Sequence, residues 1–184
     1  DELPMELTGG AALLGVLTRM VLRGQLISLC FSIFMILLIM TLVFRSVTGG
    51  LLATLPMVAS VIMMFGLMGY LDIPLNMTTS MLTGILVGVG VDYTVHFLWH
   101  LRDHIKSGDS LDDAIATTLR ISGKGILFNG LSVIIGFSAL LFSVFVPVQI
   151  FGILVMGSIS LCLFGALATL PALISLINPK FLYR

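Results

Sequence analysis

The chain has 184 residues, 58% of them hydrophobic and only 10% charged, with a mean hydropathy of +1.17. Soluble domains are about 45–50% apolar and about 25% charged, so these values exclude a soluble enzyme and point to a protein that works inside a bilayer. Nine basic residues balance nine acidic ones, which leaves no basic patch for nucleic acid.

Residues 1–24 read as an extracytoplasmic linker and lead-in helix. Ala11 to Leu22 has helical amphipathicity, Arg19 and Arg23 lie at its end, and Thr8, Gly9 and Gly10 are the expected break before it. The first residue is Asp1 and no charged-then-apolar leader opens the chain. It is therefore expected to be part of a longer protein.

Residues 25–178 read as a transmembrane domain. A spanning helix needs about 20 mostly apolar residues, and five segments qualify. They are Gln25 to Phe44, Gly50 to Tyr70 with Pro56 inside, Met77 to Trp99 with Asp92 inside, Ile126 to Phe145, and Gln149 to Leu170 with Pro171 after it. The links are uneven. Arg45 to Gly49 is short, Leu71 to Asn76 is a turn with Asp72 and Pro74, and Val146-Pro147-Val148 is the tightest. Only His100 to Gly125 is long and charged. Within it, Ser110 followed by Asp113 resembles a capping box. Leu111, Ala114, Ile115, Thr118 and Leu119 share a face, and Gly123 is a stop signal. An amphipathic helix is expected there, over about residues 110–122, lying on the inner membrane surface. Residues 179–184 are the expected cytoplasmic tail.

Basic residues set the orientation. One group of links holds Arg45, Arg102, Lys106, Arg120, Lys124, Lys180 and Arg184, and the opposite group holds Arg19 and Arg23. The richer side is expected to be cytoplasmic, with the N-terminus outside and the C-terminus inside a cell (inner) membrane.

Chemistry points to Asp92. It is the carboxylate inside the predicted spans, and a carboxylate at mid-span costs about 2.5–3.5 kcal/mol on insertion scales. Low dielectric makes the ionised form costly, which suits the group to exchanging a proton. Gly84, Gly88, Asp92, His96 and His100 recur every four residues, so each neighbours the next on the helix surface. The outer half of this stripe, Gly84 and Gly88, permits close helix packing. The inner half is ionisable, and His96 lies roughly 6 Å from Asp92 along the axis. Tyr93 adds a hydroxyl on another face. Asn129 and Ser132 share a face of the fourth span and are candidate support for the relay. Cys30 and Cys162 sit in apolar runs without metal or redox spacing, so no cofactor or metal is expected.

The run Gly88-Val-Gly-Val-Asp92-Tyr93-Thr-Val-His96-Phe97 resembles the fourth-helix signature of the RND transporter superfamily, in its MMPL, hopanoid-exporter and Patched-like branch. Gly136-Phe137-Ser-Ala-Leu, Phe151-Gly152-Ile-Leu and Leu170-Pro171-Ala-Leu resemble the family's last two helices, and Ser110 to Ala116 its amphipathic loop helix. The resemblance implies an all-α, sterol-sensing-domain-like set of five transmembrane helices from an RND-type half-transporter. Asn129-Gly-Leu-Ser-Val looks like its C-terminal half. It also implies that Asp92 carries the proton and that Tyr93 belongs to the relay, to which the spacing above adds His96. Multidrug pumps of the superfamily carry paired Asp residues and a facing Lys. Here Tyr93 follows Asp92 and no predicted span holds a Lys, which favours lipid-like cargo.

The expected function is thus proton-driven export of a lipid-like or hydrophobic substrate. Its partners would be membrane lipids, protons and either the other half of the transporter or a second copy, with no nucleic acid. The alternative is a sterol-sensing-type module that binds lipid without pumping. An intramembrane aspartyl protease needs two carboxylates in one site, and one is available, so no enzymatic activity is expected.

Overall fold

The computed structural model describes the backbone of residues 3–75 and 77–183. It describes their side chains apart from those of residues 3–14, 17, 18, 77, 78 and 180. Asn76, placed above in a turn, and Arg184 lie outside the described residues. Everything regular among the described residues is helical, and five helices are long and apolar enough to cross a membrane.

Helix α1 spans Leu3–Phe44 without interruption. The expected break at Thr8-Gly9-Gly10 is absent, and the lead-in helix and first span are one element. Glycines cost about 1 kcal/mol each in a helix, but they remove no backbone donor, so the helix propagates through them. At about 1.5 Å per residue, α1 is roughly twice as long as the hydrocarbon core is thick. Its apolar stretch begins near Arg19.

A Schellman turn ends α1. Ser46 N–H donates to the Thr41 carbonyl at 3.1 Å and Arg45 N–H to the Leu42 carbonyl at 3.3 Å. Arg45 takes the left-handed conformation, φ 50°. Ser46 caps α2 (Val47–Tyr70), its hydroxyl accepting from Gly49 N–H at 3.4 Å. The hairpin closes tightly at Gly50, where an added Cβ would lie 3.0 Å from the Thr41 nitrogen and 3.1 Å from its Cα. Backbone cannot rotate away. Gly50→Ala is therefore expected to destabilise the protein by about 1–3 kcal/mol, read as a lower unfolding temperature in detergent. Gly66→Ala, with nothing within 4 Å, should match or exceed the parent. Equal stability of both variants would refute the close crossing.

Helix α3 (Met77–Lys106) and helix α4 (Leu111–Ser138) are joined by four residues, with Gly108 at φ 102°. The long charged loop expected at His100 to Gly125 is thus mostly the touching ends of two long helices. Ser110 caps α4 as expected, accepting from Asp113 N–H at 3.3 Å and donating to the Asp113 carboxylate at 2.6 Å. Gly123 does not stop it. That glycine is buried, and an added Cβ would sit 3.5 Å from Leu167. The amphipathic segment and the fourth span are one helix, because packing against the last span outweighs the weak helix preference of one glycine.

A 3-10 turn, Ala139–Phe142, follows α4. The connection to α5 (Val146–Phe164) lies at Ser143 to Phe145, just before the tight turn placed at Val146 to Val148. Pro147 falls in the first turn of α5, where its missing N–H would be unpaired anyway. Gln149 ties the link down, donating to the Ser143 carbonyl at 2.7 Å. The last span does not end before Pro171. It runs through a π-helical turn, Gly165–Thr169, into α6 (Leu170–Ile177). The wider turn absorbs the proline, and Gly165 lies against Pro56 of α2, an added Cβ meeting the Pro56 ring at 3.0 Å.

Helices α2, α3 and the α5–α6 span form the core. Half of each one's apolar window is buried, against 6% for α1 and 11% for the α4 span. The two outer helices therefore face lipid or another protein. After α6 the chain folds back on itself. A 3-10 turn, Lys180–Tyr183, buries Phe181 and Leu182, and the Phe181 ring meets Phe44 edge-on at 5.8 Å.

Candidate functional site

Asp92 is the midpoint of α3, sixteen residues into a helix of thirty. The four-residue repeat projects Gly84, Gly88, Asp92, His96 and His100 onto one face, and all five are exposed in this chain. An added Cβ at Gly84 or Gly88 would meet nothing within 4 Å. Among the described residues, the glycine half of the stripe therefore has no helix packed on it. Close packing inside the chain uses Gly90 instead, where a Cβ would lie 3.0 Å from Cys162 Sγ and 3.1 Å from Met57 Cγ. Among the described residues, no helix packs on Gly84 or Gly88.

Asp92 and His96 form a pair, Oδ1 to Nε2 at 3.4 Å, with side chains 60% and 62% exposed. Asp92 is accordingly not covered by the described residues of its own chain. It sits at the edge of a cavity of about 260 Å³ between α3 and α4. Asp92, His96 and His100 line one wall. Ser122 and Asn129 line the other, and Tyr93 is the bridge between them. Tyr93 is 2% exposed, and its hydroxyl donates to Asn129 Oδ1 at 3.4 Å. Tyr93 and Asp92 diverge from adjacent positions of one helix, yet both reach the same cavity, because α4 crosses α3 at this level.

Ser132 does not join them. Its hydroxyl donates to the Phe128 carbonyl of its own helix at 2.8 Å, a local bond common for serine in spanning helices. The sequence pattern also passed over Gly125. It lines the cavity one turn before Asn129, and an added Cβ there would meet nothing within 4 Å, so it leaves the mouth open. Its i, i+4 relation to Asn129 was the available signal. Among the described residues no group of three His, Cys, Asp or Glu side chains is placed to hold a metal.

Chemically, the arrangement offers a carboxylate with an imidazole one turn along and a second imidazole a turn further. A fixed Tyr–Asn hydrogen bond stands beside them. Protons can pass between such groups directly or through one water.

Fold and site together define a helical, multi-pass membrane domain with an ionisable group held at mid-span. The MMPL family model matches residues 1–182, and the chain belongs to that family. MMPL proteins are transporters rather than enzymes, with a membrane domain of the RND type. The chain is similar to a curated membrane protein of Methanocaldococcus jannaschii. The two are 28% identical over 139 residues, which cover 76% of this chain and 36% of that protein. The chain thus spans little more than a third of its relative's length.

Proposed function

We propose that this chain is the transmembrane part of a proton-driven exporter of lipid-like or hydrophobic molecules. Asp92 is the group that takes up and releases the coupling proton. His96 and His100 carry it toward the end of α3 that bears Arg102 and Lys106. Tyr93, held by Asn129, orders the cavity between α3 and α4. The supporting observation is the Asp92–His96 pair at mid-helix, more than half exposed, on a stripe whose glycines meet no other helix among the described residues. Facing lipid, that carboxylate would cost several kcal/mol. Facing another half of the transporter or a second copy, it lines a protected polar path. Proton-coupled exporters need such a group in the middle of the membrane, reachable from each side in turn.

The test is transport of a fluorescent fatty-acyl cargo by the whole protein in vesicles with an imposed pH gradient. Flux should follow the gradient in sign and size, and a protonophore should stop it. Flux that ignores the gradient but follows a sodium gradient would defeat the proton reading. Lipid binding without any flux would favour the sterol-sensing-type alternative.

The orientation proposed is N-terminus outside and C-terminus inside, in a cell (inner) membrane. It rests on the excess of Lys and Arg at the α1–α2 and α3–α4 connections. A cysteine introduced at Ser107, in the exposed α3–α4 link, should react with an impermeant maleimide only after the cells are opened. Labelling of intact cells would invert the topology.

A further inference from the structure

A second cavity lies far from Asp92, where the α1–α2 turn, the end of α3 and the C-terminal 3-10 turn meet. Its volume is about 810 Å³, and Arg45, Ser46, Thr48, Arg102, Lys106 and Tyr183 give it a polar wall. Three of these are cationic and none is acidic. Its floor is apolar, built on the Phe44–Phe181 contact. Among the described residues, none of Arg45, Arg102 and Lys106 makes a salt bridge. Asp103 is not among the residues that line this cavity; it lines a smaller pocket with Trp99, Arg102 and Lys106. Among the described residues, Arg102 Nε is buried without a hydrogen-bond partner. A buried donor left unpaired costs about 1–3 kcal/mol, and no acceptor among the described residues holds the Arg102 guanidinium in place.

Other features point the same way. Ser46 caps the N-terminus of the 24-residue α2, which brings the positive end of that helix's dipole to the cavity. The Ser46 oxygen already accepts from Gly49 N–H, so its hydroxyl hydrogen remains to donate outward. Arg45 occupies the left-handed Schellman position, where glycine is the usual residue and a larger side chain is strained. The strain is offset if the guanidinium has an anion to hold.

We propose that this cavity binds a phosphate group, presented by the headgroup of an anionic membrane lipid. Guanidinium groups grip phosphate oxygens in pairs, and two of them with a lysine and two hydroxyls make a full set of donors. The lipid source is favoured by the surface running down from the rim. Val43 lines the cavity, and Leu38, Ile39 and Leu42 continue the same exposed apolar face of α1, an open track for an acyl chain. Tyr183, half-exposed, is the amphipathic side chain typical of a membrane interface.

Native mass spectrometry of the detergent-extracted protein, titrated with phosphatidic acid or with phosphatidylcholine of the same acyl chains, tests this. Phosphatidic acid should bind about tenfold more tightly, the scale of one charge-assisted contact. Arg102→Gln and Arg45→Gly should each remove that preference. Arg45→Gly relieves the left-handed strain, so a folding failure cannot account for its loss. Arg120→Gln, outside the cavity, should keep the preference. Retention of the parental preference in Arg45→Gly and Arg102→Gln would overturn the site. Protection by inorganic phosphate, lost in the same two variants and without any preference between the lipids, would overturn the lipid source in favour of a soluble phosphate.

Discussion

Asp92→Asn should reduce cargo transport to background while leaving the protein inserted, folded and able to bind cargo. Asparagine keeps the shape and the hydrogen-bonding reach of the side chain but cannot ionise. The change removes the Asp92–His96 contact at 3.4 Å. Both side chains are more than half exposed in this chain, so that contact contributes little to stability. The fold rests on the α2, α3 and α5–α6 core, in which Asp92 has no part. Loss of flux with unchanged yield and melting temperature would therefore report on proton exchange. Asp92→Glu should retain part of the activity, since the carboxyl persists but moves out by one methylene. His96→Ala should slow transport or alter its pH dependence without ending it, because water can replace one member of a relay. Transport by Asp92→Asn at the parental rate would make Asp92 structural and end the proton-coupling proposal.

The second large effect is expected at Gly88. Gly88→Leu should leave this chain folded, because an added Cβ there meets nothing within 4 Å. It should nevertheless abolish transport, because the stripe can no longer take a helix of the other half closely. Gly90→Leu, two residues on, should do the reverse to the fold. Its side chain would push directly on Cys162 and Met57, at a cost of about 1–3 kcal/mol or more. Thermal unfolding and cross-linking of the assembled protein separate the two cases. If Gly88→Leu assembles and transports like the parent, the stripe faces lipid or water, and the case for a covering helix fails.

These outcomes depend on both levels of reading. Five spans, the placement of Asp92 at mid-helix and its alignment with His96 followed from hydropathy and four-residue spacing alone. Such features are properties of one helix and need no knowledge of its neighbours. The Ser110 cap was legible for the same reason, since its partner Asp113 is three residues away.

Helix ends were less legible. Glycines at Thr8-Gly9-Gly10 and Gly123, and the proline at 171, read as stops but lie inside continuous helices. A glycine is a poor helix former but keeps its backbone donor, so the helix continues through it; inside the apolar spans every backbone group also needs a partner within its own segment. A π-helical turn resolves the proline.

Relations between helices were decided by the tertiary structure. It brings Tyr93 and Asn129 together across α3 and α4, and it leaves Ser132 bonded to its own helix. It makes Gly90 the packing glycine and leaves Gly84 and Gly88 open. It also gathers Arg45, after α1, with Arg102 and Lys106, at the end of α3, around one cavity. Periodicity states which residues share a face. Which face meets which neighbour depends on how side chains of different helices interlock, and only the packed bundle determines that.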